Sequence, residues 1–314
     1  MDKRQRMKAA FNNQQVDFVP AGFWHHYTSS DIHELVEQQV DFYRATDMDF
    51  LKIMYEFMFE LPEKVTKSSD WYKIKPLGKN SPQYIRQTEI IKGILDKTNG
   101  EAMAFTTMFN AMKMAAWCVG DEAMMVHARE NPEALSAGIA AFSETLVEWV
   151  DGFIDAGVDG IFYSAQFGEV GRFNAKEWNR LVKPYDIEVL KSIKARDKYI
   201  ILHLCGEPEY DFKVHIDRYK DYPMDMINWA VHANNYEIER GIDFFGCPVM
   251  GGLDNRGLML TGTRDDIDKA VSDIVTRFGA KGFALGADCS IQGNYDVDLI
   301  TYTIKKAHSI QMEG

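Results

Sequence analysis

The apolar runs DGIFYSA (residues 159–165) and YIILHLC (residues 199–205) decide the fold class of this chain. Both runs are apolar on consecutive residues, which is typical of parallel strands that are buried on their two faces. A helix is predicted near residues 175–195, between the two runs. The segment therefore predicts a β-α-β unit, which is the building block of parallel α/β folds.

The same alternation extends along the whole chain. A long helix is predicted at residues 132–156, where apolar side chains recur every three or four positions and Gly157 ends the pattern. Six further strands are predicted at residues 21–24, 50–55, 102–109, 224–230, 248–253 and 282–285. Eight strands alternating with helices predict a single-domain (β/α)8 TIM-type barrel over residues 1–314. The polar stretch of residues 62–100 predicts an insertion after the second strand, with short strands of its own.

An open doubly wound sheet is the alternative architecture. That fold usually carries a glycine-rich turn for a nucleotide after its first strand. Here the turn is WHHYT (residues 24–28) and has no glycine, and no phosphate-binding loop follows elsewhere. We therefore expect the barrel and no bound nucleotide.

Composition narrows the classes of partner. The chain has 314 residues, of which 46% are hydrophobic, and its formal net charge is −12. This charge disfavours binding to nucleic acid or to an anionic membrane surface, and no stretch approaches the ~20 apolar residues that span a bilayer. Without a recognisable signal segment, the four cysteines are expected to be reduced in a cytoplasmic protein. A homodimer is compatible with these features.

Polar residues follow nearly every predicted strand at its carboxyl end. In a barrel, functional groups lie at these ends, although loop starts are polar in most proteins. The residues at these positions are His25, His26, Tyr27, Tyr55, Glu56, Asn110, Ser164, Gln166, His203, Cys205, Asn228, Trp229, Asp254, Asn255, Asp288 and Cys289.

Three of these residues have the chemistry of metal ligands. His203 and Cys205 are two positions apart on one strand, so their side chains leave on the same face, and Cys289 follows the last strand. Such a set suits Zn²⁺ and leaves a fourth position for an exchangeable molecule. Zinc bound by two thiolates would deprotonate a further thiol, which is the chemistry of alkyl transfer. Ordinary packing of His and Cys in a core is the alternative.

The sequence around these ligands resembles the uroporphyrinogen decarboxylase superfamily. RQRMKAAF (residues 4–11) with VDFVP (residues 16–20) is similar to its opening helix and first strand, and LHLCG (residues 202–206) to its zinc-binding His-x-Cys-Gly. GGLD (residues 251–254) and GADC (residues 286–289) resemble two later motifs. The chain resembles most the corrinoid-dependent branch, which includes the methylcobamide:coenzyme M methyltransferases. This resemblance implies a barrel and zinc held by His203, Cys205 and Cys289.

The chain departs from the decarboxylases of that superfamily. Those enzymes carry an arginine-rich loop after the first strand, which holds the carboxylates of the porphyrinogen. Here no arginine occurs between Arg6 and Arg44. Binding a polyanion without such a loop is electrostatically unfavourable in an acidic protein. Uroporphyrinogen decarboxylation is therefore the second prediction.

The first prediction is zinc-dependent methyl transfer between the methylcobamide of a separate corrinoid protein and a small thiol such as coenzyme M, in either direction. Glu207 and Asp254 are the candidate catalytic residues, and Glu207 or Glu56 is a candidate fourth zinc ligand or a partner of the ligands. The candidate substrate-binding residues are His25, His26, Tyr27, Tyr55, Glu56, Gln166 and Asn228. Because neighbours on a strand point to opposite faces, one of the two histidines is expected to be structural. A barrel that binds in a corrinoid pathway without turnover is a further alternative.

Overall fold

A parallel sheet of seven strands forms the centre of the computed structural model, which describes residues 1–312. The strands pair in chain order, each with the next. They are β1 (Phe50–Ile53), β2 (Met103–Phe109), β3 (Gly160–Ala165), β4 (Tyr199–Leu204), β5 (Met226–Trp229), β6 (Val249–Leu253) and β7 (Phe283–Ala287). Seven of the eight predicted strands are thereby confirmed, because continuous apolar runs were a reliable signal of strands buried on both faces.

The remaining predicted strand lies at the seam between the two edges of the sheet. Gly22 donates its N–H to the carbonyl of Leu285 in β7 at 3.0 Å, and Asp49, just before β1, donates its N–H to the carbonyl of Ala21 at 2.9 Å. Isolated parallel bridges link Ala21 to Leu285 and His25 to Ile291. Residues 20–25 therefore connect β7 to β1 and give the curled sheet a TIM-barrel-like form.

Helices connect successive strands. Those before β4 are α1 (Lys3–Phe11), α2 (Ile32–Thr46), α3 (Pro82–Thr98), α4 (Ala111–Val119), α5 (Asp121–Glu130), α6 (Pro132–Asp155), α7 (Ala175–Leu181) and α8 (Lys183–Ala195). Those after β4 are α9 (Val231–Asn234), α10 (Ile238–Phe245), α11 (Leu258–Thr261), α12 (Arg264–Phe278) and α13 (Val297–Ser309). Across residues 1–312, none of the helices combines the length and apolar character of a membrane span.

Two predicted segments differ from the structure. The helix predicted at residues 175–195 is broken into α7 and α8 at Val182, since Pro184 has no N–H to continue the first helix. Residues 62–100 contain no strand. They form a 3-10 helix (Ser68–Lys73) and α3, which is the helix of the β1-to-β2 connection, so an insertion at this place is not confirmed.

A buried carboxylate holds the seam at the amino ends of the strands. Asp49 is fully buried, and its Oδ1 accepts a bond of 2.7 Å from Arg6 in α1. Its Oδ2 accepts bonds of 2.8 Å from the N–H of Ala21 and from His308 Nε2 in α13. One side chain thus ties the first helix, the seam and the last helix together, which leaves the carboxyl ends of the strands free to form the site.

Candidate metal centre

The three predicted metal ligands converge at the carboxyl ends of β4 and β7. His203 lies within β4, Cys205 directly follows it, and Cys289 lies just beyond β7. One ligand atom from each residue lies within 4.8 Å of the other two. The Nε2 atom of His203 is 3.4 Å from Sγ of Cys289.

A buried amide sets the orientation of the His203 ring. Asn228 Nδ2 donates to the carbonyls of Met250 at 3.0 Å and Ala287 at 3.1 Å, so its Oδ1 must act as an acceptor. That oxygen is 2.5 Å from His203 Nδ1, which therefore carries the ring proton. The lone pair of Nε2 is left facing Cys289, as metal binding requires.

A glycine makes room for this amide. Gly251 in β6 has a φ of +139°, a conformation that side chains rarely adopt. A Cβ at this position would lie 3.1 Å from Asn228 Nδ2. Gly251 of the GGLD motif therefore has a steric reason next to the site.

The two thiols of the centre have pKa values that are shifted in opposite directions. Hydrogen bonding from the Cys205 thiol, together with the nearby Lys52 ammonium, lowers the pKa of Cys289 well below its usual value. Hydrogen bonding to Cys289, together with burial, raises the pKa of Cys205 well above its usual value. Cys289 is therefore the more acidic thiol of the pair.

This donor set fits zinc. It offers one imidazole nitrogen with a free lone pair and two thiols that a divalent ion would deprotonate, all within a few ångströms. Imidazole and thiolate are the ligands that zinc prefers, and three protein ligands leave a position for an exchangeable molecule.

A cavity of about 280 Å³ opens beside these ligands. Its inner wall is largely aromatic, with Trp24, Phe162 and Trp117. Its polar and charged lining residues are His26, Lys52, Thr107, Ser164, Gln166, His203, Cys205, Glu207, Asn255, Arg256, Asp288, Cys289, Ser290 and Gln292.

Two cations of this cavity have no carboxylate partner within residues 1–312. Lys52 lies against the rings of Phe162 and Trp24, and its ammonium donates to the sulfur of Met54 at 3.1 Å. Burial lowers the pKa of Lys52 to about 8. Arg256 stacks on Phe212, with 3.4 Å between its Cζ and the ring centroid. The cavity therefore favours negative charge, although the protein as a whole is acidic.

Lys52 is not among the site residues that the sequence predicts. It is the one charged residue of the apolar strand β1, whose side chains alternate between the inside and the outside of the sheet. A single lysine within an apolar strand could have indicated a site residue, because an ammonium is rarely buried unless it is paired.

Three of the predicted substrate-binding or catalytic residues line the cavity: His26, Gln166 and Glu207. The carboxylate of Glu207 is engaged in an ion pair, because its Oε1 lies 2.8 Å from the ammonium of Lys113 in α4. Asn228 lies behind His203 and does not line the cavity, so the structure shows it as a partner of the metal ligand.

The remaining predicted residues lie outside the cavity lining. His25 is buried among Tyr27 and Tyr295, with its Nε2 2.8 Å from the Tyr295 hydroxyl, so it lies away from the cavity that His26 lines. Tyr55 stacks on Trp117 behind the cavity wall.

Two carboxylates among the predicted residues have local partners. Glu56 accepts a bond of 2.9 Å from the N–H of Tyr27, and its other oxygen is 2.9 Å from Nδ1 of His26. Asp254 accepts the N–H of Arg256 at 2.9 Å in the loop after β6. These contacts make both residues supports of the cavity wall.

The fold and the donor set define a barrel-like α/β protein with a candidate metal centre at the carboxyl ends of its strands. The chain belongs to the uroporphyrinogen decarboxylase (URO-D) family, whose sequence model matches residues 59–310. The resemblance to this family that the sequence motifs indicated is thereby confirmed. No curated protein sequence matches the chain significantly.

Solved structures share the fold. A methyltransferase from Methanosarcina mazei has a TM-score of 0.74 at 13% identity, with 98% of this chain and 99% of that chain covered. A B12-independent methionine synthase from Shewanella sp. W3-18-1, in complex with selenomethionine, has a TM-score of 0.60 at 12% identity, with 93% of each chain covered. An endo-1,4-beta-mannanase from Rhizomucor miehei has a TM-score of 0.57 at 14% identity, with 93% and 94% covered. At such identities the likeness shows the fold alone.

Proposed function

We propose that this protein is a zinc-dependent methyltransferase, which moves a methyl group between the methylcobamide of a partner corrinoid protein and a small thiol such as coenzyme M. The observation that carries the proposal is the convergence of His203, Cys205 and Cys289 beside a cavity, with the His203 lone pair already directed toward the other ligands. Membership of the URO-D family and the fold of a methyltransferase support it.

His203, Cys205 and Cys289 would hold the metal. Bound zinc would lower the pKa of a substrate thiol, so that the thiol is present as a nucleophilic thiolate at neutral pH. The chain supplies the rest of the environment. Asn228 fixes the imidazole, aromatic rings form part of the cavity wall, and the Lys52 ammonium would offset the negative charge of the thiolate.

The transfer itself is a displacement at the methyl carbon. The thiolate sulfur attacks that carbon, a sulfur–carbon bond forms, and the carbon–cobalt bond of the methylcobamide breaks with its electron pair left on cobalt. The thiol proton leaves before the attack, and the methyl group needs no acid or base. The reverse reaction uses the same groups, so the site serves either direction.

The size of the cavity favours a small substrate. A volume of about 280 Å³ is at the lower end of ligand pockets. It suits a short thiol, while the corrinoid would approach the mouth of the cavity on its own carrier protein. Among the described lining residues, only Lys52 and Arg256 offer unpaired positive charge, which is little for the many carboxylates of a porphyrinogen.

Glu207 and Asp254 remain the proposed catalytic residues, in supporting roles. Glu207 lies two residues after Cys205 and is a candidate fourth ligand before the thiol binds. To take that role it must leave Lys113. Asp254 shapes the loop that carries Arg256 to the cavity.

The test is the metal content and thiol methylation of the purified protein, with free methylcobalamin as methyl donor and coenzyme M as acceptor. We expect about one zinc per chain and methylation of the thiol. Cys205→Ser and Cys289→Ser should lose both. Cys118→Ser and Cys247→Ser are matched controls, because both are half-buried cysteines outside the cavity lining, and they should keep both.

Zinc bound equally by all four variants would contradict the ligand assignment. Decarboxylation of uroporphyrinogen by metal-free protein would favour the second prediction. Zinc bound at the predicted ligands without methyl transfer in either direction would favour a binding protein of a corrinoid pathway.

A further inference from the structure

A chain of three polar side chains runs along the wall of the cavity. Ser290 Oγ is 3.3 Å from Nε2 of His26, and Nδ1 of His26 is 2.9 Å from a carboxylate oxygen of Glu56. Hydroxyl, imidazole and carboxylate thus follow one another within hydrogen-bonding distance. Ser290 lies in the loop after β7, His26 directly follows the seam residues 20–25, and Glu56 lies in the loop after β1.

The direction of these bonds follows from Glu56. One of its oxygens accepts the N–H of Tyr27 at 2.9 Å, and the side chain is 7% exposed, so the carboxylate is held in place. A carboxylate only accepts, so His26 Nδ1 must carry a proton toward it. The lone pair of His26 Nε2 is then available to accept the hydroxyl proton of Ser290.

The two ends of the chain have different surroundings. Ser290 directly follows the candidate ligand Cys289 and lines the cavity beside it, and its carbonyl is held by Asn255 Nδ2 at 2.8 Å. The His26 side chain is 54% exposed. The hydrogen bonds therefore lead from the metal side of the cavity to solvent.

The other basic and acidic groups of the cavity are engaged. Glu207 is paired with Lys113 at 2.8 Å, and Asp288 with His232 at 2.9 Å. The ammonium of Lys52 has no lone pair to accept a proton. Among the described lining residues outside the metal centre, His26 is the group whose imidazole can accept a proton from the cavity and pass it to water.

We propose that Ser290, His26 and Glu56 form a relay that removes the proton of the substrate thiol. This inference rests on the proposed function, because it needs a thiol to bind beside Cys289. The sulfur–hydrogen bond breaks with its electron pair left on sulfur, and the proton passes to Ser290 Oγ as the Ser290 hydroxyl proton passes to His26 Nε2. The imidazolium then releases a proton to water. Glu56 is a positioning residue, which stabilises the imidazolium.

The experiment follows proton release directly. Full-length, zinc-loaded protein is mixed with coenzyme M at neutral pH in weak buffer that contains a pH indicator, and the rates of proton release and thiol binding are recorded by stopped flow. His26→Gln keeps a polar side chain but cannot carry the proton, so release should slow at least about tenfold. Added imidazole should restore much of the rate. Ser290→Ala and Glu56→Gln should slow it by smaller factors.

His33→Gln is the control, because His33 is also an exposed imidazole but lies outside the cavity lining, and its loss leaves the pair of Asp288 and His232 intact. It should release the proton at the rate of the unchanged protein. An unchanged rate in His26→Gln, or a slowed rate that imidazole does not restore, would refute the relay. Absence of zinc or thiol binding in the unchanged protein would instead refute the proposed function, and the relay with it.

Discussion

Replacing Asn228 by Leu should weaken zinc binding without preventing folding. The two side chains have similar volumes, but Leu deletes the bond to His203 and frees the imidazole to rotate or to change its tautomer. Changes of this kind behind a metal ligand typically cost 10–100-fold in metal affinity. That range corresponds to about 1.4–2.7 kcal/mol of binding free energy.

The change also affects stability, because two buried carbonyls lose the donor that Asn228 Nδ2 supplies. Each unsatisfied group costs about 1–3 kcal/mol. Gln87→Met separates this cost from the effect on the metal. Gln87 is fully buried, and its amide nitrogen likewise donates two bonds, to Met54 O at 3.1 Å and Thr106 Oγ1 at 3.0 Å, but it contacts no metal ligand.

The assay is a competition titration with a zinc chelator of known affinity, together with urea unfolding of the metal-free proteins. We expect both variants to be less stable, and only Asn228→Leu to bind zinc more weakly. Equal zinc affinity in Asn228→Leu and the unchanged protein would refute the argument that Asn228 prepares the lone pair of His203.

Three more predictions follow from the charges of the structure. Lys52→Met should weaken coenzyme M binding to the zinc-loaded protein about tenfold, because the ammonium offsets the negative charge of the bound thiolate. Lys52→Arg should keep most of the affinity, and calorimetry at neutral pH measures both variants. Asp49→Ala should lower the free energy of unfolding by about 3–5 kcal/mol in urea, because it leaves the buried end of Arg6 unpaired. Asp17→Ala, which removes the half-exposed partner of Arg6, should cost only about 1 kcal/mol. Burial raises the pKa of Asp186 to about 7 from the ordinary value of 3.8, so the folded state binds this proton more tightly than the unfolded state does. The free energy of unfolding should therefore fall as pH rises from about 4 to 7, by up to about 1.4 kcal/mol per pH unit. Asp186→Asn should therefore flatten the dependence of unfolding free energy on pH over this range.

Each of these expectations has a contrary result. Equal thiol affinity in Lys52→Met would show that the ammonium serves another group. Similar losses of stability in Asp49→Ala and Asp17→Ala would show that the buried carboxylate does not hold the seam. Parallel pH profiles for Asp186→Asn and the unchanged protein would show that Asp186 is already ionised in the folded state.

The order of strands was predictable from the sequence because a strand buried on both faces must be apolar along its whole length. Residues 199–205 illustrate this, since they are apolar except for His203 and the terminal Cys205. The break between α7 and α8 was harder to place. Pro184 was visible, but a proline near a helix boundary can either begin a new helix or interrupt a longer one.

The convergence of the candidate ligands was also predictable, since His203, Cys205 and Cys289 differ in chemistry from the apolar strands that carry or precede them. The contacts of the residues around these ligands were not predictable, because a loop residue at a strand end can point in many directions. Tyr55 and Glu56 both follow β1, yet Tyr55 packs behind the wall and Glu56 reaches back to His26.

The sequence by itself determined the parallel α/β class, the family and the three candidate metal ligands, because these depend on local pattern and residue type. Only the tertiary structure decided which groups meet across the sheet. The contact of Asn228 with His203 joins neighbouring strands, and that of His26 with Ser290 spans 264 positions of the chain. Such contacts depend on the curvature of the sheet and on side-chain direction, which no local pattern records.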